Sequence, residues 1–405
     1  MSDAATLRYH KRRETILDAA SDQINSHGLK GLRLVSVAEA VGLNTTSITH
    51  YFKRRDLLAA ATLERAIRRL DDMAAEAATE PDPRARVARL FALHFALVAR
   101  IRRAEAHPET RLSDLRALDD PARGALIVRY RAVLDRVAGF FGASVDPDQQ
   151  ARNTARAQVL MDILHWSRIW TPHYSVSDFT RVQAQLMALM DYGLAPAGVA
   201  WAPQVLPLDT GPDDTGEIGR EAYLRAGTHL LNERGYRGAS VEGIAARLNV
   251  SKGSFYHHLA GKDELVLACF TRSYQRTTRA QTMAMESPGT WWDRIASCMA
   301  TLLHIQFDAR FPLLRTIAMQ ALPPERRPDV LQLSERMAQR FAGMMFDGMA
   351  EGSVRHVDPF IASQCLLAVL NGAIDQHQWA AARPTRQDAV AIYAAPFVHG
   401  IFDPD

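Results

Sequence analysis

Two eight-residue stretches stand out for what their side chains can do. Residues 45–52 read Thr-Thr-Ser-Ile-Thr-His-Tyr-Phe, and residues 252–259 read Lys-Gly-Ser-Phe-Tyr-His-His-Leu. At helical spacing Ile48 and Phe52, like Phe255 and Leu259, lie four apart on one face and can anchor it. The other face shows small hydroxyls, Tyr, His and Lys. Small side chains let a helix backbone come close to base edges. Ser, Thr and Lys can read bases, and Tyr, His and Lys can hold phosphates. Basic residues follow at once: Lys53, Arg54 and Arg55 after the first stretch, and Lys262 after the second. The chemistry implied is non-covalent recognition of a polyanion. No Gly-rich phosphate loop, nucleophile elbow or paired-acid motif points to bond making. The adjacent His257 and His258 would point ~100° apart on a helix and chelate poorly. No HExxH or Cys/His spacing occurs either, so neither a metal nor a cofactor is expected.

The elements that must position these stretches occur twice. Residues 13–58 and 220–265 align without a gap at a constant offset of 207 residues. Identities include Leu17/Leu224, Asn25/Asn232, Gly28/Gly235, Gly31/Gly238, Ser47/Ser254, His50/His257 and Asp56/Asp263. Solenoid repeats run ~20–50 residues, so duplication of a whole protein explains the longer period better. In each copy an amphipathic helix should stop at Gly28 or Gly235. Ser240 is placed to cap the second helix, whereas the first copy has Arg33 there and loses the cap. The turn before each stretch holds Gly42 or Asn249, the residue types that most readily become left-handed. Asn44 and Ser251 then stand where the next helix needs an N-cap. Helix, tight turn, helix is the pattern of a helix-turn-helix.

Composition agrees. The 405 residues are 47% hydrophobic and 23% charged, average for a globular protein of two to four domains. Net charge is only +3, but residues 1–70 hold 12 Lys/Arg against 7 Asp/Glu, and residues 217–279 hold ten against six. The positive excess sits in the two repeated segments, as a polyanion partner would require. Residues 195–216 are rich in Pro, Gly and Asp and should link the copies, with the chain dividing near residue 205. No apolar run approaches a membrane span and the N-terminus has no secretory pattern. Three widely spaced cysteines (Cys269, Cys298, Cys365) imply a reducing cytoplasm.

Both segments resemble the helix-turn-helix of the tetracycline-repressor (TetR) family of bacterial transcription regulators. Residues 251–258 match its recognition-helix signature, and Gly261–Lys262–Asp263–Glu264–Leu265 matches its continuation. The first copy is looser: Thr46 replaces the usual glycine, and Arg54–Arg55 the usual small-residue–Lys pair. The resemblance implies an all-α fold of two tandem units. These are a DNA-binding domain at 1–58, a ligand-sensing and dimerisation domain at 59–195, a linker at 196–216, a second DNA-binding domain at 217–265, and a second helical body at 266–405. Family bodies pair through their last two helices, which would be about 153–170 and 177–194, and 359–382 and 386–402.

The implied function is a sequence-specific regulator, a repressor released by a small apolar or amphipathic effector, with double-stranded operator DNA as partner. The two units would pair within one chain, the rival being a homodimer of chains. DNA contacts would come from Arg12, Thr45, Thr46, Ser47, Thr49, His50, Tyr51, Lys53 and Arg55, and from Ser240, Lys252, Gly253, Ser254, Tyr256, His257 and Lys262. An arm of Arg8, His10, Lys11, Arg12 and Arg13 would precede the first helix. Pocket candidates are Phe91, His94, Phe95, Trp166 and Trp170 in the first body, and Trp291, His304, Phe307, Phe311, Met319 and Trp379 in the second. Alternatives are a first copy that serves as an interaction module or relic, and an all-α ligand-binding or enzymatic protein with relic heads.

Overall fold

The computed structural model of the chain describes residues 3–208, 219–308, 312–316, 322 and 324–403. Among them there are helices, 310 turns and loops, with no strand. The first unit comprises α1 (Asp3–His27), α2 (Leu34–Ala40), α3 (Thr45–Tyr51), α4 (Arg55–Ala77), α5 (Pro83–Arg102), α6 (Ala122–Ala138), α7 (Pro147–Trp170) and α8 (Phe179–Tyr192). The second comprises α9 (Arg220–Gly238), α10 (Val241–Leu248), α11 (Lys252–His258), α12 (Lys262–Glu286), α13 (Trp291–Phe307), α14 (Arg327–Glu351), α15 (Pro359–Gly372), α16 (His377–Ala381) and α17 (Arg386–Val398).

The local reasons for the heads, α1–α3 and α9–α11, are those read from the sequence. Gly28 (φ 69°) turns the chain after α1, and its counterpart Gly235 (φ 65°) kinks α9 three residues before its end. In the helix-turn-helix turn, Gly42 has φ 65° and Asn249 has φ 54°, so each copy places a left-handed residue at the same step. Asn44 caps α3 by accepting from the Ser47 N–H at 2.7 Å. Ser251 caps α11 from the Ser254 N–H at 3.2 Å, and Ser240 caps α10 from the Gly243 N–H at 3.0 Å. Arg33 makes no side-chain cap. Ile48, Phe52, Phe255 and Leu259 are all buried. Burying each such side chain fully contributes about 1.5–3 kcal/mol.

Two expectations change. Arg8, His10, Lys11, Arg12 and Arg13 do not form an arm ahead of the first helix; they are part of α1, which starts at Asp3. No Pro or Gly interrupts residues 3–13, so nothing stops the helix extending that far. The linker is also less loose than its composition implies. The Gln204 N–H donates to Ser297 Oγ at 3.0 Å and the Leu206 N–H to Thr301 Oγ1 at 2.9 Å, so this stretch lies along α13. Trp201 meets Trp292 edge-on at 6.3 Å. Residues 209–216 of the expected linker lie outside the described residues. The divisions at 58/59 and 265/266 fall inside α4 and α12, which run unbroken from head to body.

The units meet along a seam in which α7 packs on α15 and α17, and α8 on the same pair. Both α7 and α15 start with Asp-Pro: Asp146 accepts from the N–H groups of residues 148 and 149, and Asp358 from those of 360 and 361. At the end of α8 and of α17 the backbones exchange bonds. The Leu194 N–H donates to the Phe397 carbonyl at 3.1 Å, and the Ile401 N–H donates to the Met190 carbonyl at 2.7 Å. Offset by 207, each of these bonds is the image of the other. Gly193 (φ 62°) and Gly400 (φ 106°) permit the exchange. A Cβ on Gly193 would lie 2.2 Å from the Val398 carbonyl oxygen, and one on Gly400 2.7 Å from that of Asp191. Deeper in the seam Trp166 donates to Gln364 at 3.0 Å and Tyr393 to Asp162 at 3.2 Å. Burial pushes the Asp162 carboxyl up to about 8 despite hydrogen bonds from Gln158 and Tyr393.

Candidate nucleic-acid interface

Helices α3 and α11 each hold one apolar face in the head and turn the other outward. In the first head Thr46, His50, Lys53 and Arg55 are exposed, and Thr45, Ser47 and Thr49 are half-buried. The Thr49 hydroxyl donates to the Thr46 carbonyl at 2.8 Å. Tyr51 stacks on Tyr9 of α1 at 4.8 Å, so the first turns of α1 sit beside the reading helix. Arg12 is exposed on α1, and Arg13 lies over the Phe52 ring at 5.3 Å. Arg54 pairs with Asp56, which holds that carboxyl down at about 2.

In the second head Lys252, Gly253, Tyr256 and His257 are exposed, Tyr256 by 57%. A Cβ on Gly253 would meet only Ser251 Oγ, at 3.6 Å. A side chain would be tolerated there, so packing within the head does not require the glycine, which leaves bare backbone on the exposed face. Two residues are engaged within the head instead of facing outward. Ser254 Oγ lies 2.6 Å from the Tyr223 hydroxyl, and Ser240 is occupied as a cap. His258 faces Tyr223 at 5.0 Å. Lys262 opens α12 and is half-buried.

Sequence reading missed Glu242. Its carboxylate sits 2.6 Å from the Lys252 ammonium across the helix-turn-helix, and that contact holds the carboxyl down at about 2. Both side chains are 59% exposed, so the pair is a weak, salt-screened contact that leaves Lys252 accessible. The signal was the repeat itself: the counterpart of Glu242 is Val35, and that of Lys252 is Thr45.

The effector candidates do not converge on one cavity. Phe91, His94 and Phe95 are buried in α5, and His94 Nε2 lies 2.7 Å from Ser167 Oγ. Burial drives the His94 imidazole down to about 3 and His165 down to about 4, so both are neutral core groups. Trp166 belongs to the seam, and Trp170 packs edge-on to Tyr174. In the second body Phe307, Trp379 and Tyr393 form one aromatic cluster, with His304 beside Arg386 at 3.2 Å. Trp291 is at the opposite end of α13 from Phe307, about 24 Å away at helical rise, under Arg294. Phe311 and Met319 lie outside the described residues. Two surface clefts, of ≈ 660 and ≈ 320 Å³, are lined by none of these candidates. Among the described residues no three ligand-type side chains gather as a metal site, and no helix is long and apolar enough to cross a membrane.

Two helix-turn-helix heads with small, hydroxylated and cationic outer faces, mounted on helical bodies, define a DNA-binding regulator. Comparison with known proteins agrees. Residues 224–269 match the tetR family of bacterial regulatory proteins, and residues 288–379 match the tetracyclin repressor-like C-terminal domain. The chain is 28% identical over 161 residues to the HTH-type transcriptional repressor DhaR of Mycobacterium sp. (strain GP1), covering 38% of this chain and 80% of that protein. It is 36% identical over 86 residues to the HTH-type transcriptional regulator BetI of Burkholderia thailandensis, covering 21% of this chain and 44% of that one. A solved structure of AibR with isovaleryl coenzyme A and operator DNA overlaps 44% of this chain and 97% of its own, at 18% identity and a TM-score of 0.38. Both family matches fall in the second unit, and the first unit shares its helix-turn-helix pattern through the 207-residue repeat.

Proposed function

We propose that this chain is a cytoplasmic, sequence-specific repressor. Its two units pair within one polypeptide, read an asymmetric operator, and release it when a small apolar or amphipathic effector binds a body. The observation that carries the internal pair is the reciprocal exchange of backbone bonds between 190–194 and 397–401. Self-complementary contacts of that kind are what a two-fold interface requires. Paired heads can enter successive major grooves, ~34–36 Å apart. Their outer faces differ: Lys252, Gly253 and Tyr256 stand where Thr45, Thr46 and Thr49 stand in the first head. Unlike faces read unlike half-sites. Release requires an effector that binds the DNA-incompetent arrangement more tightly than the competent one.

A second reading makes the first head a protein-interaction module. It is favoured by the uncapped start of α2 and by Val35, which is 53% exposed on that helix. Selection of bound DNA from a random pool decides between them. Two unlike half-sites at fixed spacing support two working heads, and one half-site supports the module. No preferred site would sink the regulator reading. Light scattering at nanomolar concentration should give the mass of a single chain; a stable species of twice that mass would overturn the internal pair.

A further inference from the structure

One short segment of the first body touches both heads. It is the stretch 109–118, built around the 310 turn Leu112–Ala117. On one side it is held by α1 of the first head. Asn25 Nδ2 donates to the Glu109 carbonyl at 2.9 Å, and Asn25 Oδ1 accepts from the Arg111 N–H at 3.0 Å. The same turn lies beside the 310 turn Leu29–Gly31 that follows α1. On its other side it packs on α9, the first helix of the second head, with Leu115 and Leu118 buried.

The contact across the seam continues through charge. Arg116 pairs at 2.5 Å with Asp375 of the second unit, each side chain a third exposed. Asp375 also pairs with Arg315, and the two guanidiniums hold its carboxyl far below the usual carboxylate range. The backbone N–H of Arg315 donates to Asn232 Oδ1 at 3.2 Å, while Asn232 Nδ2 donates to the Leu313 carbonyl at 3.0 Å. Asn232 thus repeats the Asn25 clamp in the other unit, serving a carbonyl and an N–H two residues apart. Only a primary amide offers a donor and an acceptor together at that reach; Asp lacks the donor and Leu lacks both. Asparagine is also a mediocre helix former, so helix propensity does not account for its presence in both first helices. A contact returns from the second body as well, where an Arg327 guanidinium N–H donates to the Ser26 carbonyl at the end of α1 at 3.1 Å.

We propose that segment 109–118 is a strut that sets the separation of the two heads, with Asn25, Asn232 and Arg116 as its positioning residues. The strut holds the first head by Asn25 and the second by its packing on α9. Arg116 ties it through Asp375 and Arg315 to the loop that Asn232 grips. The separation of the heads is therefore set in part by the opposite unit's body. A change in the first body that moves this segment shifts the second head as well as its own.

The proposal rests on both heads reading DNA, so its test has one arm without DNA. Spin labels at Thr46→Cys and Gly253→Cys report the distance between the reading helices; Cys269, Cys298 and Cys365 are buried and leave the labels to the new sites. In the full chain, Arg116→Ala and Asn232→Ala should broaden or shift that distance distribution, and Arg116→Lys should restore it. Arg116 is partly exposed, so its loss leaves the fold intact even if Asn232→Ala destabilises the head. In the second arm, binding is measured to the selected operator with its spacer lengthened by one base pair. The affinity penalty should fall about fivefold in Arg116→Ala, the scale of coupling between contacting residues. Preference for half-site sequence should stay unchanged. Unaltered distances in both alanine variants would overturn the strut. Altered distances in a protein that selects no operator would keep the strut and overturn the DNA-reading function.

Discussion

The heads and the seam treat the same internal repeat differently. In the heads, the two copies share what the backbone needs and differ in what faces outward. Gly28/Gly235 and Gly42/Asn249 keep positive φ, and Ile48/Phe255 stay buried. Thr45, Thr46 and Thr49 against Lys252, Gly253 and Tyr256 do not match. At the seam the copies touch each other, and the two positions that bring their backbones together, Gly193 and Gly400, are the same residue. A surface offered to an outside partner can diverge one copy at a time. A surface offered to its own image is constrained from both sides.

Four measurements press on that contrast. The largest effect should come from emptying a head core. Phe255→Ala should cost about 3–5 kcal/mol by denaturant unfolding of the second head, and should erase one half of a footprint while leaving the other. Erasure of the whole footprint would mean that the heads are not independent readers. At the seam, Gly193→Ala and Gly400→Ala should each cost about 2–4 kcal/mol, from positive φ and from the backbone they would strike. Near-equal losses would sharpen the reciprocity; a harmless Gly400→Ala would break it.

The seam should also respond to pH. The Asp162 carboxyl, raised to about 8 by burial and by the nearby Asp375 against the opposing pull of Gln158, Tyr393 and Arg315, is protonated in the folded chain and ionised in the unfolded one at neutral pH. Its contribution is complete below the unfolded value near 4 and is lost as pH rises through about 8. Thermal unfolding should therefore show the wild type losing on the order of 1–3 kcal/mol relative to Asp162→Asn between pH 5 and 8. A pH-independent difference would remove Asp162 from the account. The smallest effect concerns caps: Ser240→Ala should destabilise the second head by about 1 kcal/mol, and Arg33→Ser should stabilise the first by a similar or smaller amount.

Much of the heads was legible in the sequence because their determinants are local. A left-handed residue between two short helices, a capping side chain three positions before its N–H, and apolar residues four apart act within a few residues of chain. Less of the site was legible. The cap role of Ser240 was readable, but the diversion of Ser254 to Tyr223 and the pairing of Lys252 with Glu242 were not. The cationic stretch 8–13 reads as an arm yet continues α1, because nothing in it breaks a helix. The Pro-rich stretch reads as a tether, yet its amides at 204 and 206 find acceptors on α13.

The amino-acid order by itself determined the 207-residue repeat, the all-helical composition of each copy and the helix-turn-helix frame. These rest on spacing, capping and backbone preference, which neighbouring residues settle among themselves. Only the tertiary structure decided how the copies meet. Gly193 against Val398, Asp162 beneath Tyr393, and Arg116 on Asp375 join residues about two hundred positions or more apart. No local preference encodes such pairs, because their geometry exists only after both units have folded and docked.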